Sequence, residues 1–221
     1  MDFPKLVIFD MDGLMFDTER IAYEAWQKTA EHFGFTFELS IFCNLIGLTN
    51  QDIIHYVQSV FGPEAPVLKW REYMKQKKKE LLEENLHLES FKKKGLESLL
   101  SFLKTKNVKI AVASSNEKAA IERYLKTSGV SEYIDLYVSG EEVKRGKPNP
   151  DVFLEACLRA EVKPSKALVI EDSPAGIKAA YQAGIPSFMV PDYSKPTSEL
   201  REMADQVFDS LESVEQYLRS L

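Results

Sequence analysis

Asp10 and Asp12 stand two residues apart in FDMDG, directly after the apolar run LVIF, and Gly13 follows them. One acid after a strand is most often a helix cap. Two acids there, beside a glycine free to take positive φ, can do chemistry. Three later apolar runs end on further reactive groups. VKIAVA leads into Ser114, Ser115 and Asn116; the weaker IDLYVS leads into a loop holding Lys147; ALVI leads into Glu171 and Asp172. If these runs are neighbouring parallel strands, the groups gather at the carboxyl edge of one sheet, where open α/β sheets bind their ligands.

That set suits phosphoryl transfer to a carboxylate. A dianionic phosphoester repels the attacking carboxylate, so a divalent cation is needed, and Mg²⁺ prefers carboxylate oxygens and water. A fixed ammonium group steadies charge on the equatorial oxygens. Hydroxyl and N–H donors at a helix N-terminus hold phosphate, and an acid protonates the leaving oxygen. Each residue also has a plainer reading: Ser114 as cap of a helix beginning near Glu117, Lys147 as an exposed loop lysine, Glu171 and Asp172 as helix-terminal charges beside Ser173. Paired acids at one buried strand end repel each other, however, and a bound cation is the usual relief.

The elements that must position these groups follow from hydrophobic periodicity. LVIFD (6–10), VKIAVA (108–113), ALVIED (167–172) and PSFMV (186–190) read as buried strands, with IDLYVS (134–139) a weaker one. KGLESLLSFLKT from Lys94 and EKAAIERYLKTSGV from Glu117, with Gly129 as C-terminal cap, read as helices. So do PDVFLEACLRA and PAGIKAAYQAG, each with proline first and Asn149 or Ser173 as N-cap. Strand and helix alternating from 94 to 190 predicts a parallel sheet. Residues 18–88 hold no convincing strand and read as helices over 18–34, 50–62 and 67–85. The expected organisation is therefore an α/β doubly wound core from 1–17 and 89–221, interrupted by a small all-helical insert at 18–88.

The remaining features exclude other classes. A net charge of −6 over 221 residues argues against a nucleic-acid footprint. The lysines from Lys75 to Lys79 sit among Glu80, Glu83 and Glu84, the pattern of a solvated helix face. No apolar run is long enough to span a membrane, and the N-terminus lacks the pattern of a signal peptide. Cys43 and Cys157 lie far apart without metal-ligand spacing and read as free thiols in a reducing compartment, here the cytoplasm. His32, His55 and His87 are scattered. GEEVKRGK (140–147) is one residue too long for a P-loop and has Pro148 where Ser or Thr should follow. Neither GxGxxG nor GxSxG is present.

Taken in order, FDMDGLMFDTE, VASSN, GKPNPD and VIEDSPAG resemble the motifs of the haloacid dehalogenase superfamily, in its helical-capped phosphatase and phosphomutase branch. The resemblance spans almost the whole chain. It implies that Asp10 is a nucleophile forming an aspartyl-phosphate, and that Asp12 protonates the leaving oxygen and then activates water. Ser114 and the Ser115 N–H would bind phosphate, with Lys147 bridging Asp10 and phosphate. Mg²⁺ would be held by Asp10, Asp172 and the backbone carbonyl of Asp12, with Glu171 acting through a metal-bound water. The 18–88 insert would be a cap that closes over the substrate, with Glu19, Arg20, Trp26 and Asn50 as specificity candidates.

β-Phosphoglucomutases share these motifs but carry a cap histidine and arginine where Ala22 and Asn50 stand. The opening segment and MVPD also look like those of pseudouridine-5′-phosphatases and sugar-phosphate phosphatases. The implied function is a Mg²⁺-dependent phosphatase acting on a small phosphorylated metabolite, a sugar phosphate or nucleotide, with no nucleic-acid, membrane or obligate protein partner. A phosphosugar mutase is the alternative. Asp12 argues against dehalogenation, and retention of every candidate residue argues against a non-catalytic phosphate-binding regulator. Lys94-Gly95 replaces the proline-glycine usual at the return from the cap.

Overall fold

Leu6–Phe9 has no polar face, and such a strand is stable only with both faces covered. In the computed structural model, which describes residues 3–46, 48, 50–193 and 195–221 (Asn50 by its backbone only), that strand is buried throughout. The chain divides into two compact units, Met1–Asp17 with His87–Leu221, and Thr18–Leu86. The helices of the second are α1 (Thr18–Phe33), α2 (Leu39–Cys43), α3 (Asn50–Phe61) and α4 (Val67–Asn85). The first carries β1 (Leu6–Phe9), α5 (Leu96–Thr105), β2 (Lys109–Ser114), α6 (Lys118–Thr127), β3 (Leu136–Ser139), α7 (Asp151–Ala160), β4 (Ala167–Glu171), α8 (Pro174–Ala183), β5 (Ser187–Met189), α9 (Ser198–Met203), β6 (Gln206–Val207) and α10 (Leu211–Arg219).

Among the described residues the strands form one parallel sheet in the order β3-β2-β1-β4-β5-β6. The chain winds outward from β1 through β2 to β3, then returns past β1 to β4. The winding direction thus reverses at β1, which makes its carboxyl end the switch point of the sheet. Leu6 and Ile8 join a core cluster with Val152, Phe153 and Ala156 of α7 and Ala179 and Ala180 of α8. Side chains alternate along a strand, so Val7 and Phe9 face the other side. Right-handed crossovers put α5 and α6 there, and α10 packs on α5.

The helical unit is built on aromatic packing. Trp26 stacks on Phe37 at 4.9 Å, and Phe35 on Trp70 at 3.9 Å. On α4, Lys77 pairs with Glu80 at 2.7 Å, as a mixed-charge solvated face should. Both cysteines are free thiols. No helix among the described residues is long and apolar enough to cross a membrane.

Two helix starts differ from expectation. The helix expected from Lys94 begins at Leu96, with Gly95 as its N-cap. The one expected from Pro150 begins at Asp151 with Pro150 itself as N-cap; the Asn149 side chain instead donates to the Gly146 carbonyl at 3.1 Å. Ser173 does cap α8, accepting from the Gly176 N–H at 3.1 Å. α2, α9, β6 and α10 were not expected. The first three span 5, 6 and 2 residues, too few to establish a period. The fourth does carry one, Leu211, Val214 and Leu218 being buried along one face.

Gly95 explains which half of the proline-glycine pair survives. Its φ is +87°, and a Cβ there would lie 2.7 Å from Glu212 Cγ and 2.8 Å from the Glu212 backbone nitrogen. Gly95→Ala is expected to lower stability by about 2 kcal/mol through left-handed strain and this clash. The measurement is the urea midpoint at unchanged m-value; a midpoint equal to that of the native chain would refute the account.

Candidate active site

Backbone pairing delivers the acids to one place. Phe9 is in register with Val112 on one side and Ile170 on the other, so Asp10 lies level with Ala113 and Glu171. Its N–H donates to the Ile170 carbonyl at 3.0 Å. The chain then turns sharply: Gly13 takes φ +78°, and its N–H donates to the Phe16 carbonyl at 2.9 Å. Asp12 sits in that turn, half-buried.

Carboxylate oxygens of Asp10, Glu171 and Asp172 lie within 4.8 Å of one another, and all three residues are buried. The Lys147 ammonium enters from the loop after β3. It donates to Asp10 Oδ1, to Glu171 Oε1 at 2.8 Å and to the Ala113 carbonyl at 3.1 Å. Its Nζ also lies 4.9 Å from the centre of the Phe153 ring. Within the same loop, Arg145 grips Asp151 at the start of α7 with two hydrogen bonds, at 2.7 and 3.2 Å. Glu171 Oε2 accepts the Ser173 N–H at 2.6 Å.

The electrostatics follow from burial. Desolvation pushes the Asp10 carboxyl up to about 8; Lys147 offsets this only in part, and the charges of Glu171 and Asp12 add to the rise. Burial opposes the Lys147 charge, but Asp10 and Glu171 outweigh it and hold the ammonium above the ordinary lysine range. Asp10 and Glu171 therefore share one directly bonded ammonium, and Asp172 brings a third carboxyl group beside them, an excess of acidic groups.

That excess, in hard oxygen donors, fits a divalent cation of the Mg²⁺ kind. The packing keeps the donors close. A Cβ on Gly13 would lie 2.2 Å from Asp172 Oδ2, and one on Gly176 would lie 1.6 Å from Glu171 Oε1. Glycine on both sides is what lets the carboxylates crowd together. Glu171, assigned by the resemblance to act through water, brings its own oxygen into the cluster.

The other anticipated residues fall as follows. Ser114 ends β2, buried, and its Oγ accepts the Asn116 N–H at 3.1 Å rather than capping α6. Ser115 follows and is exposed. Glu19 and Arg20 are half-exposed in the first turn of α1; Arg20 reaches Asn85 at 3.5 Å and Glu24 at 3.7 Å. Trp26 is buried and stacks on Phe37 within its own unit. The side chain of Asn50 lies outside what the structure describes.

Two groups had no expected role. Asn116 Nδ2 donates to Asp12 Oδ2. Lys93 joins Asp17 at 3.2 Å and Asp192 at 2.8 Å. Asn116 was visible within VASSN; the Lys93 partners are too distant in sequence to leave a signal.

Known proteins resemble this chain along most of its length. The sequence profile of the family described as haloacid dehalogenase-like hydrolase matches residues 7–190. A phosphorylated carbohydrates phosphatase of Thermotoga maritima is 33% identical over 186 residues, 82% of each chain. A probable pseudouridine-5′-phosphatase of Drosophila melanogaster is 36% identical over 214 residues, 92% of this chain and 88% of the other. A crystal structure from Thermotoga maritima, described as a candidate β-phosphoglucomutase, superposes with a TM-score of 0.79 at 27% identity, covering 98% of this chain and 99% of that one.

The glycine packing gives a test opposed to helix propensity. Replacing a helical glycine by alanine ordinarily stabilises by up to about 1 kcal/mol. Gly176→Ala should instead destabilise by about 2 kcal/mol, because its methyl displaces the Glu171 carboxylate. Chemical denaturation measures the sign; a stabilised variant would show that the cluster tolerates the methyl.

Proposed function

The chain belongs to the haloacid dehalogenase-like hydrolase family, and within it we propose that this enzyme is a Mg²⁺-dependent phosphatase that hydrolyses a small phosphomonoester through an aspartyl-phosphate on Asp10. The observation carrying the reading is the convergence of Asp10, Glu171 and Asp172 around Lys147 at the end of the central strand.

In this reading Asp10 attacks phosphorus. Lys147, already bonded to Asp10, is placed to share itself with a phosphoryl oxygen and so offset charge spreading over the transferring group. Ser114 and the Ser115 N–H bind phosphate beside the start of α6, where the positive end of the helix dipole favours anions. Asp12 gives a proton to the leaving oxygen, then takes one from the water that releases phosphate. Asp10, Asp172 and the Asp12 carbonyl, with Glu171 beside them, would hold Mg²⁺, which supplies charge neutralisation between nucleophile and phosphate.

Substrate choice is assigned to the helical unit, with Glu19 and Arg20 as its polar candidates. The phosphatases among its relatives favour a sugar phosphate or a nucleoside phosphate as substrate class. The structural likeness to the β-phosphoglucomutase candidate supports a second reading, a phosphosugar mutase. Against it, Ala22 stands buried on α1 where that branch carries a histidine.

Two experiments test these readings. Mg²⁺ at 100 times its Kd should stabilise the native chain by about 2.7 kcal/mol, read as a rise in melting temperature. Asp172→Asn should lose that rise, while Asp10→Asn should stay folded and lose turnover by on the order of 10³ or more. Retained turnover in Asp10→Asn would sink the nucleophile assignment. Separately, β-glucose 1-phosphate with a bisphosphate primer, followed by phosphorus NMR, should yield inorganic phosphate; glucose 6-phosphate would establish the mutase.

A further inference from the structure

Asp12 is held at one of its two oxygens. Asn116 Nδ2 donates to Oδ2, across a sequence separation that joins the turn after β1 to the end of β2. Asn116 is itself fixed at two further points. Its N–H donates to Ser114 Oγ at 3.1 Å, and its carbonyl accepts from Ser139 Oγ at 2.6 Å. Ser139 ends β3, fully buried, in register with Ser114. It is anchored in turn: its N–H donates to Glu142 Oε2 at 2.9 Å, its Oγ accepts the Glu141 N–H at 3.2 Å, and Glu142 accepts from Arg159 at 3.1 Å.

The Ser139 N–H and Arg159 hold the Glu142 carboxyl below its ordinary range. The Tyr124 phenol is pushed up to about 12, chiefly by burial and then by the Asp12 charge. The result is a hydrogen-bonded path, Arg159 to Glu142 to Ser139 to Asn116, that ends on the carboxylate.

We infer that Asn116 is a positioning residue for Asp12, occupying Oδ2 so that Oδ1 alone exchanges the proton with the leaving group and with water. This inference rests on the phosphatase reading. An amide N–H can donate to Oδ2 whether Asp12 is a carboxylate or an acid protonated on Oδ1, so the arrangement serves both halves of the cycle. In the first half the bond from Asp10 to phosphorus forms, the bond from phosphorus to the leaving oxygen breaks, and the Oδ1 proton passes to that oxygen. In the second half a water oxygen bonds to phosphorus, the Asp10 bond breaks, and Oδ1 takes a proton from that water. Phosphomonoester and water become alcohol and phosphate, and Asp12 ends protonated as it began.

A residue that aims a general acid matters most when the leaving group needs its proton, whereas one that binds phosphate or supports the fold matters equally for all substrates. The test compares phenyl phosphate, a poor leaving group, with p-nitrophenyl phosphate, a good one, at saturating Mg²⁺. Asn116→Ala should lose kcat/KM on phenyl phosphate about tenfold more than on p-nitrophenyl phosphate. Ser139→Ala, which frees the Asn116 carbonyl but leaves its amide in place, should show the same bias at smaller size and keeps the test open if Asn116→Ala does not fold. Equal losses on both substrates, or none on either, would overturn the assignment while leaving the phosphatase reading intact. A native enzyme inactive on both substrates and on a panel of sugar and nucleoside phosphates would instead remove that reading, and this inference with it.

Discussion

The sheet edge is organised around an excess of buried negative charge. Asp10, Glu171 and Asp172 crowd together where water is largely displaced, and the ammonium directly bonded among them is that of Lys147. Removing one partner from such a cluster leaves charge uncompensated in a poorly solvated place, which is why buried ion sets are far costlier to break than surface pairs. Much of the neighbouring structure keeps the set in place. β1 is clamped between β2 and β4, and the lysine loop is braced by Arg145 and Asp151.

The topology gives that imbalance its location. Because the chain reverses its winding at β1, the helices that follow β2 and β4 diverge, and a crevice opens at the carboxyl end of the central strand. Groups from β1, β2, the loop after β3, and β4 meet there although they are far apart in sequence. A parallel sheet is suited to this work because every strand ends at the same edge.

The acids, the lysine and the strand ends were legible because each left a local mark: an apolar run finishing on a polar residue. That the first five strands run parallel followed from alternation with helices; their order in the sheet, with β1 between β2 and β4, did not. What stayed hidden depends on pairs remote in sequence. Lys93 meets Asp192 through folding alone, and the Asn116 bond to Asp12 needs the β1 and β2 ends side by side. An aromatic such as Trp26 on an amphipathic helix looks the same in sequence whether it meets a ligand or a neighbouring ring, and its stack on Phe37 appears only in the fold. β6 has two residues and draws its identity from β5. Asn149 looked like a cap by type, but α7 begins one residue later than expected and Pro150 takes the cap position, leaving the Asn149 amide to donate to the Gly146 carbonyl.

The way the chain leaves and re-enters the sheet unit has a wider consequence. The Asp17 N–H donates to the Phe91 carbonyl at 2.8 Å, and the Lys93 N–H to the Met15 carbonyl at 2.9 Å. Exit and return are therefore sewn together by the backbone before the helical segment begins. Whatever lies between those stitches is an excursion with fixed ends, and the entropic cost of lengthening or shortening it grows only slowly with length. Such an excursion behaves as a cassette. Its sequence can drift or be exchanged while the carboxylate cluster keeps its strands, its glycines and its lysine. Divergence in what the fold acts on then needs no renegotiation of how it reacts.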